Sequence, residues 1–351
     1  MQIRGDMSSS RTLRNHALRN AVLAVALGSG LTVAGGRAAD SATASSLPAR
    51  HVPVFAYYYV WMHGSYWSSN KLDYPAQPFP GNYNSSNPAV MNWQIMQAKA
   101  AGITGFIVSW KDTPLYRIIM PRLEKVANQD NFRLAMEYEG LDYSRLPLPV
   151  AEVTRDFKYF AVHYAVNRAW YRIGGKPLTM LSGTGEFSVP AVCRVTGPVR
   201  HAILVLAEAN GVAEFQRLAN CTDGDAYYWS SGNPATYPGW GGKLRAMGAA
   251  VHEDDRLWLA PFAPGFNDTQ TGGQIIVPRR GGATLRSEYA AASRSAPDVL
   301  GLISWNEWTE NTYVEPSVAF GHRYLDVLRD LLVAGTPQAR RSHAGTSLLV
   351  R

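Results

Sequence analysis

Residues 87–110, NPAVMNWQIMQAKAAGITGFIVSW, contain one complete helix–strand unit. Asn87 can cap a helix, Pro88 suits the first helical position, and Gly102 can end the helix. The apolar run Thr104–Trp110 that follows has the length of a buried strand. This order, in which a capped helix leads directly into a buried strand, is typical of α/β proteins.

The same alternation of strands and helices continues along the chain. The predicted strands are Val52–Trp61, Thr104–Trp110, Arg133–Glu139, Pro177–Leu181, His201–Leu206, Ala226–Ser230, Leu257–Phe262 and Val299–Trp305. The predicted helices are Pro88–Ala101, Pro149–Ile173, Val212–Ala219, Leu244–His252, Ala283–Ser293 and Gly321–Val333. Eight strands joined by crossover connections predict a single-domain α/β fold, a (β/α)8 TIM barrel. A doubly wound open sheet is the alternative, because sequence periodicity does not show whether a sheet closes.

Composition and charge narrow the class of protein. Of the 351 residues, 46% are hydrophobic and 17% are charged, which excludes a disordered, collagen-like or coiled-coil chain. The net charge of +7 comes from the two ends, since residues 1–39 carry +4 and residues 336–351 carry +3. The body of the protein is therefore neutral, and nucleic acid is not an expected partner.

The N-terminal segment has the features of an export signal. Several arginines precede the apolar stretch Ala21–Gly36, which is shorter than the ~20 residues of a membrane-spanning helix. We predict a cleaved signal peptide over residues 1–39, a linker over 40–51, the barrel domain over 52–335 and a C-terminal tail over 336–351. An uncleaved membrane anchor is the alternative for the first segment. We expect a secreted, periplasmic or cell-envelope protein with no stable membrane insertion after cleavage, and a monomer.

The two cysteines, Cys193 and Cys221, can form one disulfide in an exported protein. Two buried free thiols are the alternative. Their separation fits neither a zinc site nor a C-x-x-C redox motif, and the eight histidines show no metal-ligand spacing. We therefore expect no metal and no cofactor.

Aromatic residues and carboxylates recur where the predicted strands end. In a (β/α)8 barrel the function lies at the C-terminal ends of the strands. Sugars present apolar faces to aromatic rings and hydroxyls to carboxylates and amides, so this pattern predicts a carbohydrate cleft. For Asp268, the alternative is a turn that only stabilises its own loop. The expected substrate-binding residues are Tyr58, Tyr59, Trp110, Glu137, Tyr228, Asp268, Asn306 and Trp308.

Glu307 and Glu310 are the candidate catalytic pair. Glycosidic cleavage needs an acid for the departing oxygen and a second carboxyl group at the sugar. Three residues of separation would place the two on opposite faces of a continuous strand. They reach one cleft only if the strand ends near Glu307 and the chain then curls. A pair of solvated glutamates in a loop is the alternative, but the flanking Trp305 and Trp308 favour burial and raised pKa values.

Glu137 and Glu139 are two residues apart on a predicted strand and therefore share a face. If that face is the barrel interior, one of them meets the substrate or orients a catalytic carboxyl. The alternative is a buried ion pair with Arg133 or Lys111.

The segment Ile303–Pro316, ISWNEWTENTYVEP, resembles the final-strand signature of glycoside hydrolase family 99 and its relatives. These relatives include the family 71-like α-glucanases and the family-99-like domains of polysaccharide loci. Tyr57–Trp61, Ala98–Phe106 and Ala263–Thr269, the last followed by Arg279–Gly282, are similar to the same family. The matching stretches span roughly residues 52–335 in the expected order.

The resemblance implies a (β/α)8 hydrolase that cleaves α-linked glycans, often within the chain, without a metal. By this resemblance Glu307 is the base that deprotonates the 2-hydroxyl of the sugar, which then attacks the anomeric carbon. Glu310 protonates the leaving oxygen and later activates water, so that the reaction retains configuration. Glu137, with Glu139 as the alternative, matches a carboxylate that contacts substrate.

The chain also differs from the family pattern. Thr309 and Asn311 stand where the family has His and Gly, and Tyr138 stands where we expect Pro. A preference for mannose is therefore not part of the prediction. The sequence predicts an exported glycoside hydrolase acting on a poly- or oligosaccharide. A non-catalytic glycan-binding barrel and a factor in polysaccharide assembly or trimming are the alternatives.

Overall fold

The computed structural model describes residues 52–68, 71–79 and 82–333, and the predicted signal peptide, linker and tail lie outside them. The strands are β1 (Val54–Tyr58), β2 (Gly105–Trp110), β3 (Arg133–Tyr138), β4 (Arg172–Ile173), β5 (Lys176–Leu181), β6 (Leu204–Leu206), β7 (Gly224–Ala226), β8 (Leu257–Phe262), β9 (Phe266–Asn267), β10 (Ile276–Val277) and β11 (Val299–Leu302). The helices are α1 (Ser65–Ser68), α2 (Pro88–Ala100), α3 (Pro114–Gln129), α4 (Val150–His163), α5 (Val189–Thr196), α6 (Val212–Leu218), α7 (Trp240–Glu253), α8 (Ala283–Ser293) and α9 (Arg323–Leu332).

Eight parallel strands form a curled sheet in the order β6-β5-β3-β2-β1-β11-β8-β7. Among these eight, strands that are consecutive in the sequence lie next to each other in space. The last of them, β11, pairs with the first, β1. The end strands β6 and β7 meet at a parallel bridge between Ala207 and Asp225. There the Ala207 N–H donates to the Gly224 carbonyl at 2.9 Å, and the Ala226 N–H donates to the Ala207 carbonyl at 2.7 Å. The predicted α/β class with a parallel sheet is confirmed.

Alternate residues of each strand face two different hydrophobic cores. On β1, Phe55 and Tyr57 face the interior of the curled sheet, whereas Val54, Ala56 and Tyr58 face the surrounding helices. This division follows from strand geometry, because successive side chains point to opposite faces. The side chains that reach the inner space at the strand ends are therefore fixed by the register of the strands.

The helix predicted over Pro149–Ile173 is too long. Helix α4 ends at His163, and residues 164–173 continue as a turn, a stretch beside β3 and the short strand β4. The Leu134 N–H donates to the Ala169 carbonyl at 2.9 Å, and the Tyr171 N–H donates to the Leu134 carbonyl at 2.7 Å. This segment satisfies backbone groups at the start of β3, which outweighs any local helical preference.

Helices α1, α3 and α5 were not predicted, and several strands are shorter than expected. The strand predicted over Ala226–Ser230 shares only Ala226 with β7. Helices α3 and α5 follow the capping residues Thr113 and Ser188, whose side chains accept hydrogen bonds from backbone N–H groups of the first turn. The last strand ends at Leu302 rather than Trp305. No helix in the part of the chain that the structure describes is long and apolar enough to cross a bilayer.

A disulfide joins Cys193 on α5 to Cys221, three residues beyond the end of α6, with their Cα atoms 4.6 Å apart. This is the first of the two arrangements considered from the sequence. It closes a loop with a sequence separation of 28 residues, which contains β6 and α6.

Replacing both Cys193 and Cys221 by Ser should lower the free energy of unfolding by roughly 3–4 kcal/mol, because a loop of this length is no longer closed in the unfolded chain. Urea unfolding of oxidised protein measures the change. Cys193→Ser alone should give a similar loss, since either substitution removes the same bond. Equal stability of the oxidised wild type and the double variant would contradict the pairing.

Candidate active site

A cavity of about 520 Å³ opens at the C-terminal ends of the parallel strands. Its walls come from the loops that follow β1, β3, β5, β6, β7 and β11, together with the loop between β9 and β10. The lining residues are Tyr59, Trp61, Glu137, Glu139, Arg145, Ser182, Gly183, Glu208, Tyr228, Thr271, Glu307, Thr309 and Glu310.

The segment after β11 turns back on itself and carries both candidate catalytic glutamates at its tip. The Ser304 N–H donates to the Thr312 carbonyl at 3.1 Å, and the Glu315 N–H donates to the Trp305 carbonyl at 2.9 Å. Because the strand ends at Leu302 and the chain then curls, Glu307 and Glu310 line the same cavity. The geometry that the sequence required of this pair is the one observed.

Glu307 is a buried, well-oriented hydrogen-bond acceptor. Its side chain is 5% exposed, and its Oε1 accepts hydrogen bonds from both the hydroxyl and the backbone N–H of Thr309, the latter at 3.0 Å. Burial raises the pKa of Glu307, and the two hydrogen bonds from Thr309 oppose that rise. Donors directed at a carboxylate favour its ionised form, so Glu307 is suited to accept a proton.

Glu310 differs from Glu307 in its hydrogen bonding. Its Oε2 is buried and has no hydrogen-bond partner among the described residues. Burial, followed by repulsion from Glu307, raises the pKa of Glu310 to about 8, although Arg145 opposes the rise. A carboxyl group that is protonated near neutral pH can act as an acid, so the two neighbouring glutamates are suited to opposite tasks.

Three more carboxylates line the same cavity: Glu137, Glu139 and Glu208. Glu137 is 5% exposed, and its carboxyl group forms no hydrogen bond with any described residue. Burial, followed by the neighbouring carboxylates Glu139 and Glu208, raises its pKa. Glu139 accepts a hydrogen bond from the Ser109 hydroxyl at 2.5 Å. The shared face predicted for Glu137 and Glu139 is therefore the cavity face.

The ion pairs considered from the sequence are not formed. Lys111 donates to the Leu141 carbonyl at 2.7 Å, and Arg133 donates to the Arg168 carbonyl at 3.0 Å. Among the described residues, no three His, Cys, Asp or Glu side chains are grouped so as to hold a metal ion.

Gly183 holds Glu208 in place, and replacing this glycine by any other residue would strain the backbone. The Gly183 N–H donates to Glu208 Oε2 at 2.6 Å. Gly183 has φ +67°, and a Cβ there would lie 2.5 Å from Leu141 Cγ. Burial raises the pKa of Glu208 to about 7.

Tyr59 and Tyr228, two of the residues expected to bind substrate, both line the cavity. Their hydroxyl groups are 2.9 Å apart, and the ring of Tyr57 packs edge-on against Tyr228 with centroids separated by 4.9 Å. The two hydroxyls therefore form a rigid polar pair on the wall of the cavity.

Tyr58 and Trp110 do not line the cavity, and the prediction that they contact substrate is corrected. Both lie on the outer face of the sheet, because they alternate with the inward-facing Tyr59 and Ser109. Tyr58 donates to Gln94 Oε1 at 2.6 Å and stacks on Phe106. The Trp110 ring is fully buried in the core between the sheet and the helices.

Asn306, Trp308 and Asp268 also lie outside the lining of the cavity and support it instead. Asn306 Oδ1 accepts from the Tyr59 N–H, and its Nδ2 donates to the Tyr59 carbonyl, both at 2.8 Å. Trp308 is buried and stacks on Tyr313 with centroids 4.0 Å apart. Asp268 Oδ1 accepts from the Ile275 N–H at 2.8 Å, so it closes its own loop, the alternative considered from the sequence.

Sequence reasoning missed Glu208, Arg145 and the role of Thr309. Glu208 follows the predicted strand His201–Leu206 by two residues, so inspection of that strand end could have identified it. Arg145 offered no comparable signal. It reaches the cavity because Asp142 Oδ1 accepts hydrogen bonds from two backbone N–H groups of its loop, with Arg145 itself at φ +63°.

A buried network of hydrogen bonds fixes the segment that carries the glutamates. Glu315 accepts from the Tyr83 hydroxyl at 2.8 Å and from Gln94 Nε2 at 2.6 Å. Asn306 Nδ2 in turn donates to the Tyr83 hydroxyl at 3.2 Å. Burial raises the pKa of Glu315 to about 8.

Arg279 fixes the part of the same segment that follows the two glutamates, at Asn311 and Tyr313. Its Nη2 donates to the carbonyls of Asn311 and Tyr313, both at 2.8 Å. The guanidinium also lies over the rings of Tyr313, Phe320 and Tyr324 at 4.5–4.9 Å from their centroids. Cation–π contacts of this kind stabilise a buried arginine that has no carboxylate partner.

Comparison with known proteins supports the resemblance at the level of the fold. Residues 282–328, which include the segment with both glutamates, match a family model described as Glycosyltransferase WbsX. No curated protein matches the chain significantly.

Two structures of the glycoside hydrolase family 99 endo-α-mannosidase from Bacteroides thetaiotaomicron are similar to this chain at 20% identity. The one in complex with BIS-TRIS-propane gives a TM-score of 0.70 over 83% of this chain and 98% of the other. The second gives 0.67 over 82% and 98%. A structure described as a glycoside hydrolase-like protein is 18% identical, with a TM-score of 0.63 over 80% of this chain and 93% of the other. The fold therefore resembles that of family 99, as the sequence motifs indicated.

Tyr58→Phe should lower the free energy of unfolding by about 1–3 kcal/mol, because it leaves the buried Gln94 Oε1 without its donor. It should leave the cavity unchanged, since Tyr58 faces the helices. Urea unfolding measures the effect, and equal stability of Tyr58→Phe and wild type would contradict the buried Tyr58–Gln94 hydrogen bond.

Proposed function

We propose that this protein is an exported glycoside hydrolase that cleaves α-linked poly- or oligosaccharides within the chain and with retention of configuration. The observation that carries the proposal is the placement of Glu307 and Glu310 in one cavity with opposite hydrogen-bond environments. The similarity of the fold to the Bacteroides endo-α-mannosidase supports a glycan substrate.

The proposal includes the organisation of the whole chain. Residues 1–39 are a cleaved signal peptide, 40–51 a linker, 52–335 the catalytic domain and 336–351 a tail. The curled sheet closes into a (β/α)8 barrel, which the pairing of β1 with β11 and the Ala207–Asp225 bridge support.

In the first step, Glu307 accepts the proton of the 2-hydroxyl of the sugar. The 2-oxygen attacks the anomeric carbon and forms a C–O bond, while the bond from that carbon to the leaving oxygen breaks. Glu310 gives its proton to the leaving oxygen. The hydrogen bonds from Thr309 keep Glu307 ready to accept a proton, and the raised pKa of Glu310 keeps its proton available.

In the second step, the 1,2-anhydro sugar opens. Glu310, now ionised, accepts a proton from water, whose oxygen attacks the anomeric carbon. The bond from that carbon to the 2-oxygen breaks, and Glu307 returns its proton to the 2-oxygen. Two inversions at one carbon give net retention.

The other three carboxylates of the cavity are suited to hold the sugar. Glu137 has no protein hydrogen bond to lose, so its carboxyl can bind sugar hydroxyls. Glu139 and Glu208 are already held by Ser109 and Gly183 and offer oriented acceptors.

Glycosyl transfer is the second candidate function, favoured by the match to the model described as Glycosyltransferase WbsX. It needs the same first step, after which a sugar hydroxyl replaces water as the attacking group. In that case the protein acts in polysaccharide assembly or trimming. Product analysis with and without added acceptor sugar distinguishes the two.

Purified protein should release oligosaccharides from one member of a panel of α-mannans, α-glucans and bacterial wall polysaccharides. Glu310→Gln should lower the rate on such glycans by about 10²–10⁴, because the leaving oxygen loses its acid. Glu307→Gln should be comparably impaired. With an activated aryl glycoside, whose leaving group needs no proton, Glu310→Gln should recover the first step, measured as an initial release of the aryl group, although water still lacks its base in the second step. Glu307→Gln should not recover the first step.

The matched control is Glu253→Gln, at the exposed end of α7, which should keep the wild-type rate. Wild-type turnover in either cavity variant would refute the assignment of the pair. Glycan binding by wild type and variants alike, without any product, would establish a non-catalytic glycan-binding barrel instead.

The rate should depend on pH in a bell shape. Activity falls as pH drops through the pKa of Glu307, which must be ionised, and falls as pH rises past about 8, where Glu310 loses its proton. Thr309→Val removes one donor to Glu307 and should move the acidic limb to higher pH. Thr309→Ser keeps the hydroxyl and should leave that limb in place.

Profiles of kcat/KM against pH for the three proteins measure this effect. The basic limb, which belongs to Glu310, should stay in place in both variants. Superimposable acidic limbs for Thr309→Val and wild type would show that the Thr309 hydroxyl does not tune Glu307.

A further inference from the structure

A second cavity, of about 600 Å³, lies beside the N-terminal ends of the strands, at the opposite edge of the sheet from the candidate active site. It is formed by the connection between α3 and β3 and by the segment 168–172, which precedes and enters β4. The side chains that matter for the argument are Asn128, Arg133, Arg168, Trp170 and Arg172. The two cavities share no lining residue.

Three guanidinium groups line this cavity, and neutral oxygens anchor each of them. Arg133 Nη1 donates to the Arg168 carbonyl at 3.0 Å, and Arg168 Nε donates to Asn128 Oδ1 at 3.2 Å. Arg172 Nη1 donates to the Gly175 carbonyl at 3.0 Å, and its Nη2 donates to the Ala165 carbonyl. These contacts orient the guanidinium groups but leave their charges uncompensated.

No carboxylate of a described residue forms an ion pair with Arg133, Arg168 or Arg172. Two acids lie close to this wall in sequence. Glu124 accepts hydrogen bonds from Trp170 Nε1 at 2.7 Å and Asn167 Nδ2 at 3.1 Å, and Asp130 lies in the connection between α3 and β3 and forms no ion pair with the three arginines. The cavity therefore carries a local excess of positive charge.

Asn128 is itself held in place by the same group of residues. Its Nδ2 donates to Asn167 Oδ1 at 2.8 Å, which directs its own Oδ1 to Arg168. Because Asn167 also donates to the buried Glu124, the Asn128 side of this wall is anchored in the core, whereas Arg168 and Arg172 are exposed.

We infer that this cavity binds an oxyanion carrying two negative charges, a phosphate or a sulfate, either free or as a substituent on a sugar. Like charges held in one cavity repel each other, and a doubly charged anion relieves that repulsion. The planar fork of arginine donors matches the oxygens of such an anion. The inference does not depend on the proposed hydrolase activity.

Titration calorimetry of the full chain with inorganic phosphate and with sulfate tests the inference, with sodium chloride at matched ionic strength as reference. We expect saturable binding of one anion per chain. The double variant Arg168→Gln/Arg172→Gln should weaken binding by about tenfold or more, since it removes two charged donors. Arg217→Gln, an exposed arginine outside the cavity, is the matched control and should bind as wild type does.

Equal urea unfolding curves for wild type and the double variant would show that the substitutions leave the fold intact. If the variant is less stable, Arg168→Lys/Arg172→Lys, which keeps the charge but loses the fork, should bind with intermediate affinity. Phosphate heats no different from those of chloride, or unchanged affinity in the Gln double variant, would overturn the inference.

Glucose 6-phosphate, titrated in competition with inorganic phosphate, distinguishes the two sources of the anion. Tighter binding of the sugar phosphate than of phosphate would identify a substituted glycan as the ligand. Binding of inorganic phosphate alone would identify a free anion. Either result requires the arginines and supports the site.

Discussion

The candidate active site depends on the hydrogen bonds that a buried carboxyl group, that of Glu315, accepts from Tyr83 and Gln94. A carboxyl group buried this deeply is costly unless its oxygens are satisfied, so this contact holds the returning limb of the segment after β11 against helix α2. Asn306 extends the network to the backbone of Tyr59. Both glutamates that face the cavity lie between these fixed points, and their orientation follows from the network.

The sequence predicted the parallel α/β architecture and most of the strand positions, because these follow from local apolar runs and turn residues. It predicted that the two glutamates converge only if the last strand ends before them, and β11 does end at Leu302. It did not separate the inward-facing Tyr59 from the outward-facing Tyr58, since the register of a strand depends on its neighbours. Arg145 was missed for a similar reason: only the folded loop, closed by Asp142, brings it to the cavity. Asn306 and Trp308 lie in the right motif, but packing assigns them to its support.

The neutral body of the chain conceals a separation of charge. Five carboxylates line the cavity at the C-terminal edge of the sheet, whereas three arginines without carboxylate partners line the one at the N-terminal edge. Net charge averages over these two regions and therefore indicates neither. The segment that was predicted to continue helix α4 lines the second cavity with Arg168 and Arg172 instead. If the helix continued through these residues, this cavity would not form.

Arg145 is the only cationic side chain among the described residues that line the acidic cavity, and it belongs to a surface loop rather than to the sheet. It lowers the pKa values of Glu310 and Glu208 against the effect of burial. The acidity of the site is thus set in part by a loop that evolution can exchange without disturbing the strands or the two glutamates. Homologues that differ only in this loop would share one chemistry and work best at different pH.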